Sequence, residues 1–408
     1  MKRRIIVVVG LVAVAIAIVW HGARATDPHY TGGTVAANRG NLVIDPILEI
    51  ARGHVAGARA VSVVGRNIEI DDTVVADIYD MGSTGLQLIW LAPTAARAHT
   101  VVSTDAVDVT SSGELTLTGQ PANTNTCTIG TKVYTFQTVL TNVDGNVKIG
   151  ADAEGTIDNL VAAVNLAAGA GTNYAALMTA NAANVVAVKT AADDFTIYTV
   201  ASTAIATTDT MANATWAAGT TTLGTGARTL RVTGLTDWDT AEVSEDISLR
   251  GLSGVALTNS YVMINRMEVL TKGATTNAGT ISATAATDAT VSAYMIIGTG
   301  ETNMAIYGIP SVQTAYIGGY YASANEAGGA AGLANVSLLV NPEPDAVTTS
   351  FTTKRTFGLI SAGLNDAQYM RTYVPLKVPG PAIIKMQGLG GADDMDVTAG
   401  FDLILVNN

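Results

Sequence analysis

Residues 224–270 read GTGARTLRVTGLTDWDTAEVSEDISLRGLSGVALTNSYVMINRMEVL. Leu230 and Val232 fall on one parity, and Thr229, Arg231 and Thr233 on the other. Further on, Val243, Ile247 and Leu249 oppose Glu242, Ser244, Asp246 and Ser248. Alternation with a period of two marks half-buried antiparallel strands, because successive side chains leave opposite faces of a sheet. The glycines at 224, 226, 298 and 300 resemble phosphate-binding loops only superficially. Neither pair has the GxxxxGK[ST] or GxGxxG pattern or a strand-to-helix setting, so both read as turns between strands.

The same pattern continues toward the C-terminus. Ile281 and Ala283 alternate with Ser282 and Thr284. Val291, Ala293, Met295 and Ile297 share one parity, as do Ala305, Tyr307 and Ile309. Tyr316, Tyr320 and Tyr321 flank Gly318 and Gly319, which predicts a strand with a bulge. Val336, Leu338 and Val340 predict another, and Val374, Leu376 and Val378 a third. Val397, Ala399, Phe401, Leu403 and Leu405 keep one parity to the chain end, a run too apolar to hang in water. Turn signals every 8–15 residues or so are the mark of a β-sandwich or barrel.

Composition narrows the function classes. The chain has 408 residues, and only 14% are charged, against roughly 25% in ordinary soluble domains. Few surface charges suit a protein that covers much of its exterior with neighbours. The net charge of −12 argues against nucleic acid, since phosphate binding needs clustered Lys and Arg. Cys127 is the only cysteine, so no intrachain disulfide forms; its place in a TCTI alternation predicts a small core residue. His21, His29, His54 and His99 are too scattered for a zinc site and have no evident nucleophile partner.

The chain starts with MKRR, an uncharged apolar run at 5–20 and Ala23-x-Ala25. A basic start, an apolar stretch and a small-residue site read as a signal-like or anchor segment over 1–25, an apolar helix with possible membrane contact through 5–20. Residues 26–42 read as a polar linker or arm. Asp45 and Pro46 then predict a helix start, with Ile44, Ile47, Leu48 and Ile50 on one face. Strand-like runs follow at 60–64, 74–78 and 86–91.

The character changes near residue 112. No arginine occurs between Arg97 and Arg228. Two or three strands precede a helix whose Ile157, Leu160, Val161 and Val164 recur at i, i+3, i+4 and i+7. Asp152 reads as its cap and Gly169 as its stop. Strands at 185–189 and 195–200 follow. The linker-like ends SSG and TTLGTG predict an α/β module at 113–222, inserted in a loop of a discontinuous β domain made of 43–112 plus 223–408.

LTLTG, TIGTKVYTF and KIGADAEGTIDNLVAAVN in the module resemble a small unit that recurs in capsid- and tail-associated proteins of tailed bacteriophages. LEIARGHVAGARAVSVVGRN, GTGARTLRVTGL, INRMEVLTKG, MAIYGIPSVQTAYIGGYYAS and DVTAGFDLILVNN resemble virion structural proteins of tailed phages of the marine type. The resemblance implies a mainly β, sandwich or jelly-roll-like virion component, such as a capsid decoration protein, head fibre or tail part. It implies partners among capsid or tail proteins and a homo-oligomer, by analogy a trimer. The module would project outward toward a lattice neighbour or host surface. The signal-like start departs from this pattern and leaves open an exported cell-surface or matrix protein.

Carboxylates are the remaining chemical candidates. Glu69, Asp71, Asp72, Asp77 and Asp80 are clustered but lack the Asp-x-Asp-x-Asp-Gly spacing of a calcium loop, and read as a solvated loop face. Asp393, Asp394 and Asp396 follow Gly390 and Gly391 and read as a polar turn before the last strand. Glu242 and Glu245 read as surface or interface charges. A glycosidase needs two carboxyls in a cleft, usually with aromatics to stack sugars, and aromatics make up only 5% of the chain. The expectation is therefore a non-enzymatic protein with no catalytic, cofactor or metal residues.

Overall fold

Alternating sequence becomes strand almost throughout. The structure, a computed structural model, describes residues 46–70, 72, 74–79, 95–326, 331–345, 350–362, 366–391 and 395–408. The expected apolar segment 1–25, the arm 26–42, the Asp45 cap and the strand at 86–91 lie outside the described residues. Among the described residues no helix is long and apolar enough to cross a membrane.

The chain divides into two compact units, Met1–Ala60 and Val61–Asn408. In the first, helix α1 (Pro46–Ala51) carries Glu49, which accepts from Arg52 Nη1 at 2.9 Å and pairs with His54 Nδ1 at 2.7 Å.

The second unit is nested along the sequence. An outer pair of sheets starts with β1 (Ala58–Ile70) and β2 (Ala76–Asp77). A middle pair starts with β3 (Arg97–Ser103). The inner module then runs complete: β4 (Ser111–Leu117), β5 (Thr126–Ile129), β6 (Lys132–Gln137), β7 (Asn146–Lys148), helix α2 (Ala153–Asn165), β8 (Val185–Ala191), β9 (Asp194–Thr199), β10 (Thr207–Asp209), β11 (Ala214–Trp216) and β12 (Thr222–Leu223). The chain returns to the middle pair with β13 (Ala227–Leu235), β14 (Val243–Ser248), β15 (Val255–Tyr261), β16 (Met263–Lys272), β17 (Ile281–Ala285) and β18 (Val291–Met295). It finishes the outer pair with β19 (Ile306–Ile309), β20 (Gln313–Glu326), β21 (Ala331–Asn341), β22 (Thr352–Ala362), β23 (Asp366–Pro379), β24 (Ala382–Gly390) and β25 (Met395–Asn407).

In the inner module, α2 covers two sheets of order β11-β4-β9-β8 and β10-β5-β6-β7. Ile157, Leu160 and Val164 reach the core with Leu115, Phe136 and Phe195, while Val161 is only partly buried. The Asp152 carboxylate accepts from Gly155 N at 2.7 Å, as expected of a cap. The helix stops earlier than Gly169. Leu166 already adopts a left-handed φ of 50°, and its N–H turns back to Ala162 and Ala163. Asp144 ties β6 to the loop before β8, accepting from Lys132 Nζ at 2.5 Å and from Thr179 N at 2.8 Å. The hydrogen bond from Lys132 holds its carboxyl at about 2.

The middle pair has sheets β14-β13-β16 and β15-β3-β17-β18 around one core that includes Val101, Leu230, Val232, Ile247, Leu249 and Met267. The strands of 228–250 therefore share a core with residue 101, across the insertion. In the sheets β13 pairs with β14 and β16, and β3 with β15 and β17, while across the insertion Thr110 N donates to Leu249 O at 3.1 Å and an isolated bridge joins Val109 to Arg250.

The outer pair has sheets β1-β25-β20-β23 and β19-β24-β21-β22, with β2 added to β24. Between them lie Val336, Leu338, Val340, Phe401, Leu403 and Leu405, all at most 3% exposed. The last strand is thus internal, between β1 and β20. A smaller cluster of Leu235, Trp238, Met263, Met304, Ile306 and Ile383 joins the middle and outer pairs. The strands outside the module fill these separate clusters rather than one common core.

Two parity readings shift. The expected bulge in β20 is present against β25, where Ile317 pairs with Leu403 and Gly319 with the adjacent Asp402. Against β23, Ile317 pairs with Leu376 but Gly319 with Arg371. The extra residues loop out of β23 and leave Val374 80% exposed, out of step with buried Val378. Ile297 lies beyond the end of β18 and is also exposed.

Leu160→Ala should destabilise the module by about 2–5 kcal/mol, the range for emptying a packed leucine site. Hydrogen exchange will show that loss in β4–β9, while amides of β20 and β25 keep their protection. Replacing residues 113–222 with a short Gly/Ser linker should leave a cooperatively unfolding β protein by circular dichroism. An insoluble product would count against the module's independence.

Candidate functional site

The inner module meets the middle sheets at a neck where polar groups converge. The Asp108 carboxylate, fully buried, accepts four hydrogen bonds. Oδ1 takes them from the N–H groups of Ala227 and Ala278, both at 2.8 Å. Oδ2 takes them from Ser103 Oγ at 2.6 Å and Gly279 N at 2.8 Å. One side chain so joins the end of β3, the start of β13 and the loop before β17. Beside it, Thr110 Oγ1 donates to Arg228 O at 3.0 Å, and Ser111 Oγ donates to Thr221 Oγ1 at 2.7 Å. Gly224 and Gly226 fit here because there is no room for a Cβ. At Gly226 it would lie 2.0 Å from Asp108 Oδ1, and at Gly224 2.0 Å from Val109 O. The 224–226 segment, expected as a turn between strands, is also a close backbone approach.

Next to the neck a cleft of about 430 Å³ separates module and sheets. Arg250 and Glu114 are its cation and its carboxylate, with Tyr198, Ser253, Thr196 and Thr222 around them. Tyr198 Oη lies 3.1 Å from Ser253 Oγ, and Ser248 Oγ donates to Val200 O at 2.7 Å, so the two walls are tied together. Burial pulls the Arg250 pKa down, and Tyr198 acts in the opposite sense. The cleft offers hydroxyls and a half-buried guanidinium, a surface able to hold a polar ligand but without a nucleophile–base pair.

The carboxylates singled out in the sequence do not converge. Glu242 and Glu245 are not simple surface charges. Glu242 Oε1 accepts from Asn265 Nδ2 at 2.6 Å and from the Tyr307 hydroxyl at 3.1 Å. Glu245 accepts from the Tyr261 hydroxyl at 2.9 Å and from the backbone of Thr258 and Asn259 at 2.8 and 3.2 Å. Burial, then the Glu245 contact, pushes the Tyr261 hydroxyl pKa up. Asp396 sits in β25, paired with Arg66 through both oxygens at 3.0 and 2.6 Å. Asp393, Asp394, Asp71, Asp80 and the Glu69 side chain lie outside the described residues. Asp72 is exposed, but Asp77 is fully buried, so that group is no uniform solvated face. Among the described residues no three His, Cys, Asp or Glu side chains gather as a metal site.

Sequence reasoning left His99 without a partner, and the fold supplies one. Its Nε2 lies 2.8 Å from Ser292 Oγ, and both residues are buried. Arg97 donates to the same hydroxyl at 3.1 Å and to Asp288 at 2.8 Å. His99 Nδ1 makes no hydrogen bond of ordinary geometry among the described residues. Cys127 is buried and its thiol pKa is driven up by that burial. Asp108, Arg250 and Ser292 carry no signal in the sequence. Their partners lie up to 195 residues away, and nothing local marks them.

Asp108→Ala leaves its donors unsatisfied. A stability loss of about 3–5 kcal/mol in urea unfolding is expected, the range for breaking a buried charged network. Burial and then the Arg97 charge lower the His99 pKa below its ordinary value of 6.5. The unfolded chain therefore takes up the proton first as pH falls. Stability from neutral His99 is complete above about pH 6.5 and declines below it, levelling off beneath the folded-state pKa. His99→Gln should flatten urea midpoints measured between pH 7 and 5, and an unchanged slope would contradict this.

No family model matches the chain. No curated protein matches it. Among solved structures, a match titled "Structure of infectious bursal disease virus Gx strain" covers 86% of this chain and 72% of that chain at 12% identity. Its TM-score of 0.18 is too low to support any argument about fold or function.

Proposed function

We propose that the protein is a non-enzymatic structural component of a tailed-phage virion, acting by protein–protein assembly as a capsid decoration, head fibre or tail-associated part. In this reading the outer sheets form a jelly-roll-like sandwich, and the protein is a homo-oligomer, by analogy a trimer. The sequence resemblance supports the class. The observation that carries the mode of action is the exposed edge of the outer sheets. β22 and β23 stand at the ends of their sheets, and along them Tyr369, Met370 and Val374 are 60%, 47% and 80% exposed. Leu333, paired with Ile360 on β21 and β22, is also exposed at 58%. Long edges with apolar side chains invite pairing with another chain unless something covers them. The low charge content suits such contacts.

A second reading, an exported cell-surface or matrix β protein, is favoured by the MKRR start and the apolar run at 5–20.

Purified virions should contain the polypeptide in stoichiometric amount. Recovery from culture medium with none in particles would sink the virion reading, and a mature chain starting at Thr26 would support export. In sedimentation the intact protein should be an oligomer. Met370→Asp combined with Val374→Asp should shift it toward monomer without changing its circular dichroism.

A further inference from the structure

Lys385 is 1% exposed, an unusual position for a lysine, in the apolar run Ala382-Ile-Ile-Lys-Met of β24. Its Nζ lies 2.9 Å from Asp77 Oδ1 and 3.2 Å from Oδ2, and Asp77 is itself fully buried. The Phe351 ring lies 4.1 Å from Nζ. Ala76, Ile78, Ile384 and Met386, all fully buried, flank the two residues in sequence. Asn67 Nδ2 donates to Asp77 O at 2.8 Å and holds the backbone of β2 in place.

The bland account is a buried ion pair. Such a pair is costly, because both ions leave water and mutual attraction offsets the loss only with excellent geometry. Amide formation from such a pair begins with transfer of one proton from ammonium to carboxylate, which sets a neutral amine against a neutral acid. Nζ close to both oxygens puts it within about 3–3.5 Å of the carboxyl carbon, the separation of a near-attack geometry.

We propose that Lys385 and Asp77 join through an intramolecular isopeptide bond. The Nζ lone pair attacks Asp77 Cγ, forming the N–C bond. A proton from Nζ moves to the carboxyl hydroxyl, the C–O bond breaks, and one water leaves. Nothing is oxidised or reduced, and no co-reactant is needed. The product is a neutral amide, which removes the buried charges. It also closes a loop whose ends are 308 residues apart in sequence. Both nested insertions lie inside that loop. A covalent link between β2 and β24 would stop the outer sheets from unzipping, a useful property where neighbours pull on a subunit.

The test is peptide mapping of the purified full chain by mass spectrometry after denaturation. The expected result is a branched peptide joining Asp77 to Lys385, lighter by one water than its two parts, with trypsin failing to cut after Lys385. Two linear peptides and normal cleavage at Lys385 would overturn the proposal. Asp77→Asn should give the same branched product with loss of ammonia, and Asp77→Ala should give none. A branch that persists in Asp77→Ala would also overturn it. Peptide mapping does not depend on where the mature chain begins. The wild-type result decides the matter even if a variant fails to fold.

Discussion

The structure turns on one carboxylate. A chain that leaves one pair of sheets to build a second, and leaves the second to build a third unit, must bring distant segments back to one place. Asp108 does this at the neck of the inner module by accepting from residues 103, 227, 278 and 279 at once. Closing a longer loop costs only slightly more entropy than closing a shorter one. An insertion of this size is therefore tolerable if its ends are held together. Gly224 and Gly226 make the same point sterically, since any side chain there would strike the 107–109 backbone or the carboxylate.

Polar and charged groups tie strands together at several points, and among the described residues Asp77, Asp108 and Lys385 are buried. Glu242 and Glu245 bind hydroxyls and amides where β14 and its neighbours meet. His99, Ser292 and Arg97 join β3 to β18. Asp77 and Lys385 lie in the outer sheets. Each group fixes one partner and one geometry, which apolar contacts alone do less well. The exterior is left comparatively neutral, with apolar side chains along β22 and β23.

Much of the fold was legible because alternation is a local property. Val397 to Leu405 announce a buried strand without reference to any other segment, and so do Leu230 with Val232 and Ile281 with Ala283. The α2 face and its Asp152 cap were readable for the same reason. Misreadings occurred where a non-local partner overrides parity. Val374 flips outward because β23 bulges against Gly318 of β20. The helix stop at Leu166 rather than Gly169 is a local exception, since its cap bonds reach only Ala162 and Ala163.

By itself the sequence determined the β character, most strand positions, the cap and buried face of α2 and the scarcity of charge. All of these follow from residue type and spacing over a few neighbours. Only the tertiary structure decided which strands share a sheet, that the strands outside the module divide among distinct cores, and that Asp108, His99 and Lys385 are interior groups with specific partners. Those features depend on contacts between residues separated by tens to hundreds of positions. No local pattern encodes such contacts, because the energy that selects them arises only when the segments meet.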